Sequence, residues 1–377
     1  MKRLKQTFRA AALAVMAGFI TAAGASAAEP RKVIIDDDGS GIMQWMLLQS
    51  PDVEVLGIAA LSGDVWRDEA VSQALRAVEM AGRPDVPVLR GAVWPLLNSE
   101  KLTDRWESLY GKLVWKGAWM KKWVEPTDQS APPYHAPDVV PDLPWGNPHL
   151  EPSDEPAAVF MIRMVHKYPG KITIMATGPM TDLALAQRLD PEFASLAKEL
   201  VYMGGSLNPQ QMRDSPGAAQ FAREFSNSPR REFNIRFDPE AASIVFRSPW
   251  KKITMIPADP STATELTRSL IDRWSAAAPA FAPMLKKHEP GFPLWDEIAA
   301  AVWLDPSVVT KKEQLYIDVN TQFSAGYGDT LSWRPGYQPD LDEREEAVIR
   351  SIDVAKLEAM IGRLLARPVP ARHAPQP

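Results

Sequence analysis

Short β-rich runs alternate with segments of helical spacing through most of this chain, and that alternation limits the folds open to it. The runs fall at 32–35, 53–60, 86–89, 171–176, 200–203, 253–256 and 315–319. The clearest helical pattern spans 67–82, where Ala70, Val71, Ala74, Leu75 and Val78 recur at intervals of three and four, and Gly82 with Pro84 ends it. Strand, helix, strand at this spacing predicts an α/β fold, a mostly parallel central sheet flanked by helices on both faces. In such sheets a ligand sits beyond the carboxyl ends of the strands. Asp36, Asp37 and Asp38 follow the first run and occupy that place.

With 377 residues, 45% of them hydrophobic and 24% charged, the chain has material for one large α/β domain or two smaller ones. A net charge of −5 and a pI near 5.7 supply no basic field for nucleic acid or anionic membrane. The first residues read MKRLKQTFRAAALAVMAGFITAAGASAAEP: a basic start, an apolar run from Ala10 to Ala23, and Ala25-Ser26-Ala27 as a small-x-small cleavage site. This pattern predicts a secretory signal peptide over 1–27, because the apolar run is shorter than the roughly 20 residues a membrane span needs. A soluble protein of a bacterial periplasm or the extracellular space is expected, with no membrane attachment after cleavage. There is no cysteine, so neither a disulfide nor a cysteine-linked lipid enters the reading.

The remainder reads as one domain over 28–367 with two exceptions to the alternation. Residues 115–156 are rich in proline and tryptophan, which fits either a lid over the site or a packed surface insertion. Residues 368–377 read as a disordered proline-rich tail. The five histidines show no metal-ligand spacing and are expected at the surface or in the core.

Three adjacent aspartates alone would suit a solvated loop or a helix N-cap. Asp296 changes the balance, because it stands in the apolar stretch "GFPLWDEIAAAVWLDPS", where a lone carboxylate is costly. A second acid site of this kind suggests a shared cation, since hard cations take several oxygen ligands.

The blocks "KVIIDDDGSG", "PDVEVLGIAALSGDVWRDEAVSQALRAVEMAGRPDVPVLRGA", "KITIMATGPMTDLALAQRLDPEFASLAKELVYMGGSLN", "REFNIRFDPEAASIVF" and "PLWDEIAAAVWLDPSVVT" together resemble the inosine-uridine preferring nucleoside hydrolase family. The resemblance implies a Rossmann-like nucleoside hydrolase fold and metal-assisted hydrolysis of the N-glycosidic bond of a ribonucleoside or related riboside. It also implies a calcium ion that holds the ribose diol and a water. Asp36 and Asp38 match the first aspartate pair of the family's opening motif, Thr177 the backbone carbonyl ligand, and Asp296 the distant carboxylate ligand. Asp38 is the implied base that takes the proton of the attacking water. Glu232 and Asn234 match residues that bond the ribose hydroxyls; the family's asparagine six residues before that glutamate is Ser226 here, with Asn227 one step away to substitute, and the asparagine after the second strand's glycine is Asp64, so Asn227 and Asp64 are the expected remainder of the sugar pocket.

The sequence departs from the family at three further places. The second aspartate pair falls on Ile42 and Met43, removing one metal ligand and one acceptor for a ribose hydroxyl, so weakened calcium binding is expected. Trp295 stands where many members carry a histidine as leaving-group acid; it can stack on a base but not donate like an imidazolium. Asp37 adds an acid the usual motif lacks, so a site rebuilt around it stays open. The expected partner is a small nucleoside or riboside, a homo-oligomer is left open, and the alternative function is a non-catalytic nucleoside- or sugar-binding protein of the same fold.

Overall fold

Residues 29–370, apart from Ser40, Asp128 and Pro132, are described by a computed structural model. The segment read as a signal peptide and most of the tail lie outside the described residues. The strands are β1 (Arg31–Asp37), β2 (Val53–Ala60), β3 (Val88–Arg90), β4 (Ile172–Ala176), β5 (Glu199–Met203), β6 (Ile253–Ile256), β7 (Val309–Val319), β8 (Thr330–Trp333) and β9 (Arg344–Ile352). They form one sheet in the order β3-β2-β1-β4-β5-β6-β9-β7-β8. Pairing is parallel from β3 across to β9, then antiparallel for β9 with β7 and β7 with β8. The expected α/β architecture is present.

Burial explains the strand sequences. β4, β5 and β6 are buried at every position, so "ITIMA", "ELVYM" and "ITMI" carry apolar residues on both faces. One core layer packs Val33, Ile35, Trp45, Ile298 and Ile361 on one face; the other packs Ile34, Phe160, Ile174, Leu183 and Phe246. The helix predicted over 67–82 is observed as Arg67–Met80. No helix among the described residues is long and apolar enough to cross a membrane.

β8 and β9 were not legible as strands, and β7 begins earlier than its apolar run. β9 reads "REEAVIRSI", with charges interrupting the apolar pattern, yet its Glu346 is fully buried beneath a hydrogen bond from the Tyr202 hydroxyl at 2.7 Å. A tertiary partner makes that charge-bearing residue tolerable in a sheet interior.

The strand order reverses between β1 and β4, since β1 continues to β2 and β3 on one side and β4 to β5 and β6 on the other. Such a switch point opens a crevice at the carboxyl ends of the two strands. Asp36 pairs with Ala176 in register, which sets Asp37 and Asp38 beside Thr177 at the mouth of that crevice.

Candidate active site

Strand geometry sorts the three aspartates. Successive side chains of β1 point to opposite faces, so Asp36 and Asp37 part company. Asp36 turns toward Asp182, at the start of the helix Thr181–Leu189; burial first, and then the Asp182 carboxylate, push its carboxyl well above the usual range. It lines neither of the cavities described below. Asp37 faces the other way, accepting from Thr177 Oγ1 at 3.0 Å and Gln44 Nε2 at 2.8 Å. Burial pushes it up to about 6 against those bonds.

Asp38 lies just past the strand, where alternation lapses, and turns into the crevice. Its Oδ2 accepts the Asp64 backbone N–H at 2.8 Å. Two glycines make room for it: a Cβ on Gly63 would stand 1.9 Å from Asp38 Oδ2, and one on Gly178 would stand 2.9 Å from Asp38 Cβ. The glycines of "LSGD" and "ATGP" therefore serve close approach of backbone to a functional carboxylate.

Asp38 shares a cavity of about 90 Å³ with Asp64, Thr177, Glu232, Asn234, Trp295 and Asp296. These come from just beyond the ends of β1, β2 and β4, from the N-cap and first turn of the helix Phe233–Phe237, and from the N-cap and first residue of the helix Asp296–Leu304. Glu232 caps the Phe233–Phe237 helix, accepting from the backbone N–H groups of Gly205 (2.7 Å), Asn234 (2.9 Å) and Ile235 (3.2 Å). Asn234 directs its amide N–H groups to the carbonyls of Thr177 (2.9 Å) and Met203 (3.2 Å), so its Oδ1 is what it has left to offer as an acceptor. Trp115, Phe221, Phe225, Phe233, Phe292 and Trp295 supply aromatic wall.

Among the described residues no lysine, arginine or histidine lines this cavity. Its carboxyls consequently raise one another. Burial is the largest cause at Asp38 and Asp296, which stand well above the usual range, with Asp64 and Asp37 the next causes at the first and Asp37 and Glu297 at the second. Burial lifts Asp64 to about 6, and Glu232 and Glu297 to about 7. A second crevice of about 140 Å³ adjoins on the Asp37 side, with Asp38, Asp296, Glu297 and His288 among its walls. Ile42 and Met43 line it too, each 1% exposed.

Asn227 does not join the group. It sits near the end of the helix Pro216–Asn227 and lines a neighbouring cavity of about 600 Å³. Several residues at the site escaped the sequence reading. Glu297 was signalled only by following Asp296. His288, whose Nε2 is buried without a hydrogen-bond partner and whose pKa burial lowers, carried no spacing signal at all. Trp115 reaches the site from the proline-rich segment, remote from every motif, and Glu224 from the Pro216–Asn227 helix, where the resemblance pointed to Ser226 and Asn227 instead.

Among the described residues no group of three or more histidine, cysteine or acidic side chains is disposed to hold a metal ion by itself. The donors present are nonetheless hard oxygens without cationic neighbours in their cavity: Asp38, Asp296 and the Thr177 carbonyl. That donor chemistry fits a hard cation whose shell is completed by water or ligand hydroxyls.

Fold and site together define an α/β protein with an acidic, aromatic-walled cavity at the switch point of its sheet. The chain belongs to the inosine-uridine preferring nucleoside hydrolase family, whose model matches residues 33–359. It is 29% identical over 340 residues to the uncharacterized protein C800.11 of Schizosaccharomyces pombe, covering 86% of this chain and 81% of that one. Uridine nucleosidase 1 of Arabidopsis thaliana is 34% identical over 242 residues, 63% of this chain and 59% of the relative. The pyrimidine-specific ribonucleoside hydrolase RihA of Salmonella schwarzengrund is 27% identical over 316 residues, 79% of this chain and 87% of the relative. Among solved structures, the fold resembles a plant nucleoside hydrolase, PpNRh1, with a TM-score of 0.65 at 22% identity, covering 90% of this chain and all of that one. A purine-preferring ribonucleoside hydrolase from Gardnerella vaginalis matches with a TM-score of 0.62 at 24% identity over 89% of this chain and 99% of the other.

Proposed function

We propose that this protein hydrolyses the N-glycosidic bond of a ribonucleoside or a closely related riboside. The observation that carries the reading is the single cavity in which Asp38, Asp64, Glu232, Asn234 and Asp296 converge from separate segments under an aromatic wall. Its polar groups are acceptors almost throughout, which suits a ligand rich in hydroxyl donors. The aromatic side chains suit a flat base, with Trp295 and the phenylalanines offering ring faces. Family membership and the named activities of its relatives point the same way.

In this reading Asp38 takes the proton of the attacking water. Without a cation, burial and then the Asp64 and Asp37 carboxylates hold the Asp38 carboxyl above the usual range, and a bound cation would bring it back toward the ionised form a base needs. The water oxygen bonds to C1′ as the C1′–N bond breaks and its electron pair leaves with the base. Glu232 and Asn234 hold sugar hydroxyls, and Asp64 orients Asp38 through its backbone N–H.

A calcium ion would be held by Asp38, Asp296 and the Thr177 carbonyl, more loosely than by a full aspartate set, because Ile42 and Met43 offer no oxygen. When bound, such an ion lowers the pKa of a coordinated water. Export follows from the signal-like start, so the substrate would be met outside the cytoplasm.

The deciding experiment is a nucleoside panel (uridine, cytidine, inosine, adenosine) with the mature protein and Asp38→Asn, read as release of free base. The wild type is expected to turn over at least one nucleoside and the variant to lose a factor on the order of 100 or more. Binding without release by the wild type would instead establish the non-catalytic binding protein.

A further inference from the structure

We infer that the Glu224 carboxyl group accepts a hydrogen bond from a sugar hydroxyl of the substrate. The inference rests on the nucleoside reading above. Glu224 belongs to the helix Pro216–Asn227, two residues before Ser226, at a position the resemblance does not single out. It lines the cavity of Asp38 and Glu232, and it also lines the adjoining 600 Å³ cavity. Its side chain therefore stands at the junction of two open spaces, where a ligand can reach it.

The surroundings hold that carboxyl group as an acceptor. Arg236 donates to Oε1 at 3.0 Å, with 6% of the arginine and 12% of the glutamate side chain exposed. The same Arg236 nitrogen donates to the Trp115 carbonyl at 2.7 Å, and the guanidinium lies 5.4 Å from the Phe233 ring centroid. Burial pushes the Glu224 carboxyl up and Arg236 draws it back down without offsetting the burial, so what the guanidinium, itself fixed from three sides, supplies is orientation. A carboxyl group has about four acceptor sites, so Arg236 and the Trp115 backbone N–H leave capacity for a hydroxyl. A purely structural Glu224 would do no more than neutralise Arg236.

The two roles separate in an enzyme-by-substrate cycle. Wild type and Glu224→Gln are compared on uridine and on its 2′-, 3′- and 5′-deoxy derivatives, by kcat/KM and by calorimetric Kd. Glu224→Gln is expected to lower kcat/KM for uridine by about 10-fold or more. For the one deoxy derivative that lacks the bonded hydroxyl, the two proteins should be nearly equal. An equal loss on all four substrates, or no loss on uridine, overturns the inference while leaving the hydrolase reading intact. If the wild type binds but does not cleave, the same cycle on Kd decides the inference and only the hydrolase reading falls. Absence of both binding and cleavage overturns both. Should Glu224→Gln fail to fold, Glu224→Asp keeps the charge facing Arg236 and carries the same comparison.

Discussion

Trp115 Nε1 donates to Asp64 Oδ1 at 2.6 Å, fastening the proline- and tryptophan-rich segment to the loop that follows β2. Both residues line the cavity of Asp38. The same segment is anchored again where Trp119 stacks on Phe237, with ring centroids 4.3 Å apart, and where the Trp66 indole donates to the His135 carbonyl. Its first residue, Trp115, is cavity wall.

Trp115→Phe keeps the ring and deletes the donor. Hydrogen bonds to charged groups contribute roughly 1.5–3 kcal/mol. We expect kcat/KM for the best nucleoside to fall by about 10-fold or more, beside a fall in Tm from the lost bond. Steady-state kinetics beside a melting curve checks this, and a kinetic change below about twofold would remove Trp115 from the site's working parts.

The parting of Asp36 and Asp38 gives a test of the cation. A ligand that binds only the folded protein stabilises it by about 2.7 kcal/mol at 100 times its Kd. Calcium is expected to raise Tm of the wild type, and Asp38→Ala and Asp296→Ala to abolish the rise. Asp36→Asn, which faces Asp182 instead, should leave the rise in place. Differential scanning calorimetry with and without calcium reads all three; loss of the effect in Asp36→Asn would mean that Asp36 turns inward to the ion.

Buried carboxyls make stability fall as pH rises. Burial lifts Glu232 and Glu297 to about 7 and Glu346 to about 8, all from an ordinary value of 4.5. Folded-state values above the unfolded one mean that the native protein binds more protons between them. The associated stability is thus complete below about pH 4.5 and lost as pH climbs through 7 to 8. Denaturant midpoints measured from pH 5 to 9 should decline across that window. Glu346→Gln, which keeps an oxygen for the Tyr202 hydroxyl, should flatten the decline above pH 7, and an unchanged slope would show that Glu346 is not its source.

Export predicts a mature chain beginning near Ala28 or Glu29, after the small-residue site. N-terminal sequencing of protein from its native host reads the answer directly. An intact Met1 in a membrane fraction would overturn it.

Local pattern alone determined the strand-helix alternation, the parallel sheet and the position of the aspartates at a strand end, because period and breaker residues act within a few positions of one another. Resemblance then reached Asp38, Asp64, Glu232, Asn234 and Asp296, which the fold gathers in one cavity. What lay beyond sequence was orientation and company. Whether Asp36 or Asp37 meets the cavity depends on which face of β1 each occupies, and that is fixed by packing against Asp182 on one side and Thr177 and Gln44 on the other. Asn227 matched a pocket position but sits near the end of a helix that carries it to the neighbouring cavity. β9 was hidden because Glu346 breaks its apolar run, and only a hydroxyl 144 positions away makes its burial tolerable. Glu224, His288 and Trp115 are likewise products of long-range closure: charge, burial and reach depend on what the folded chain sets beside them, and no local spacing encodes that.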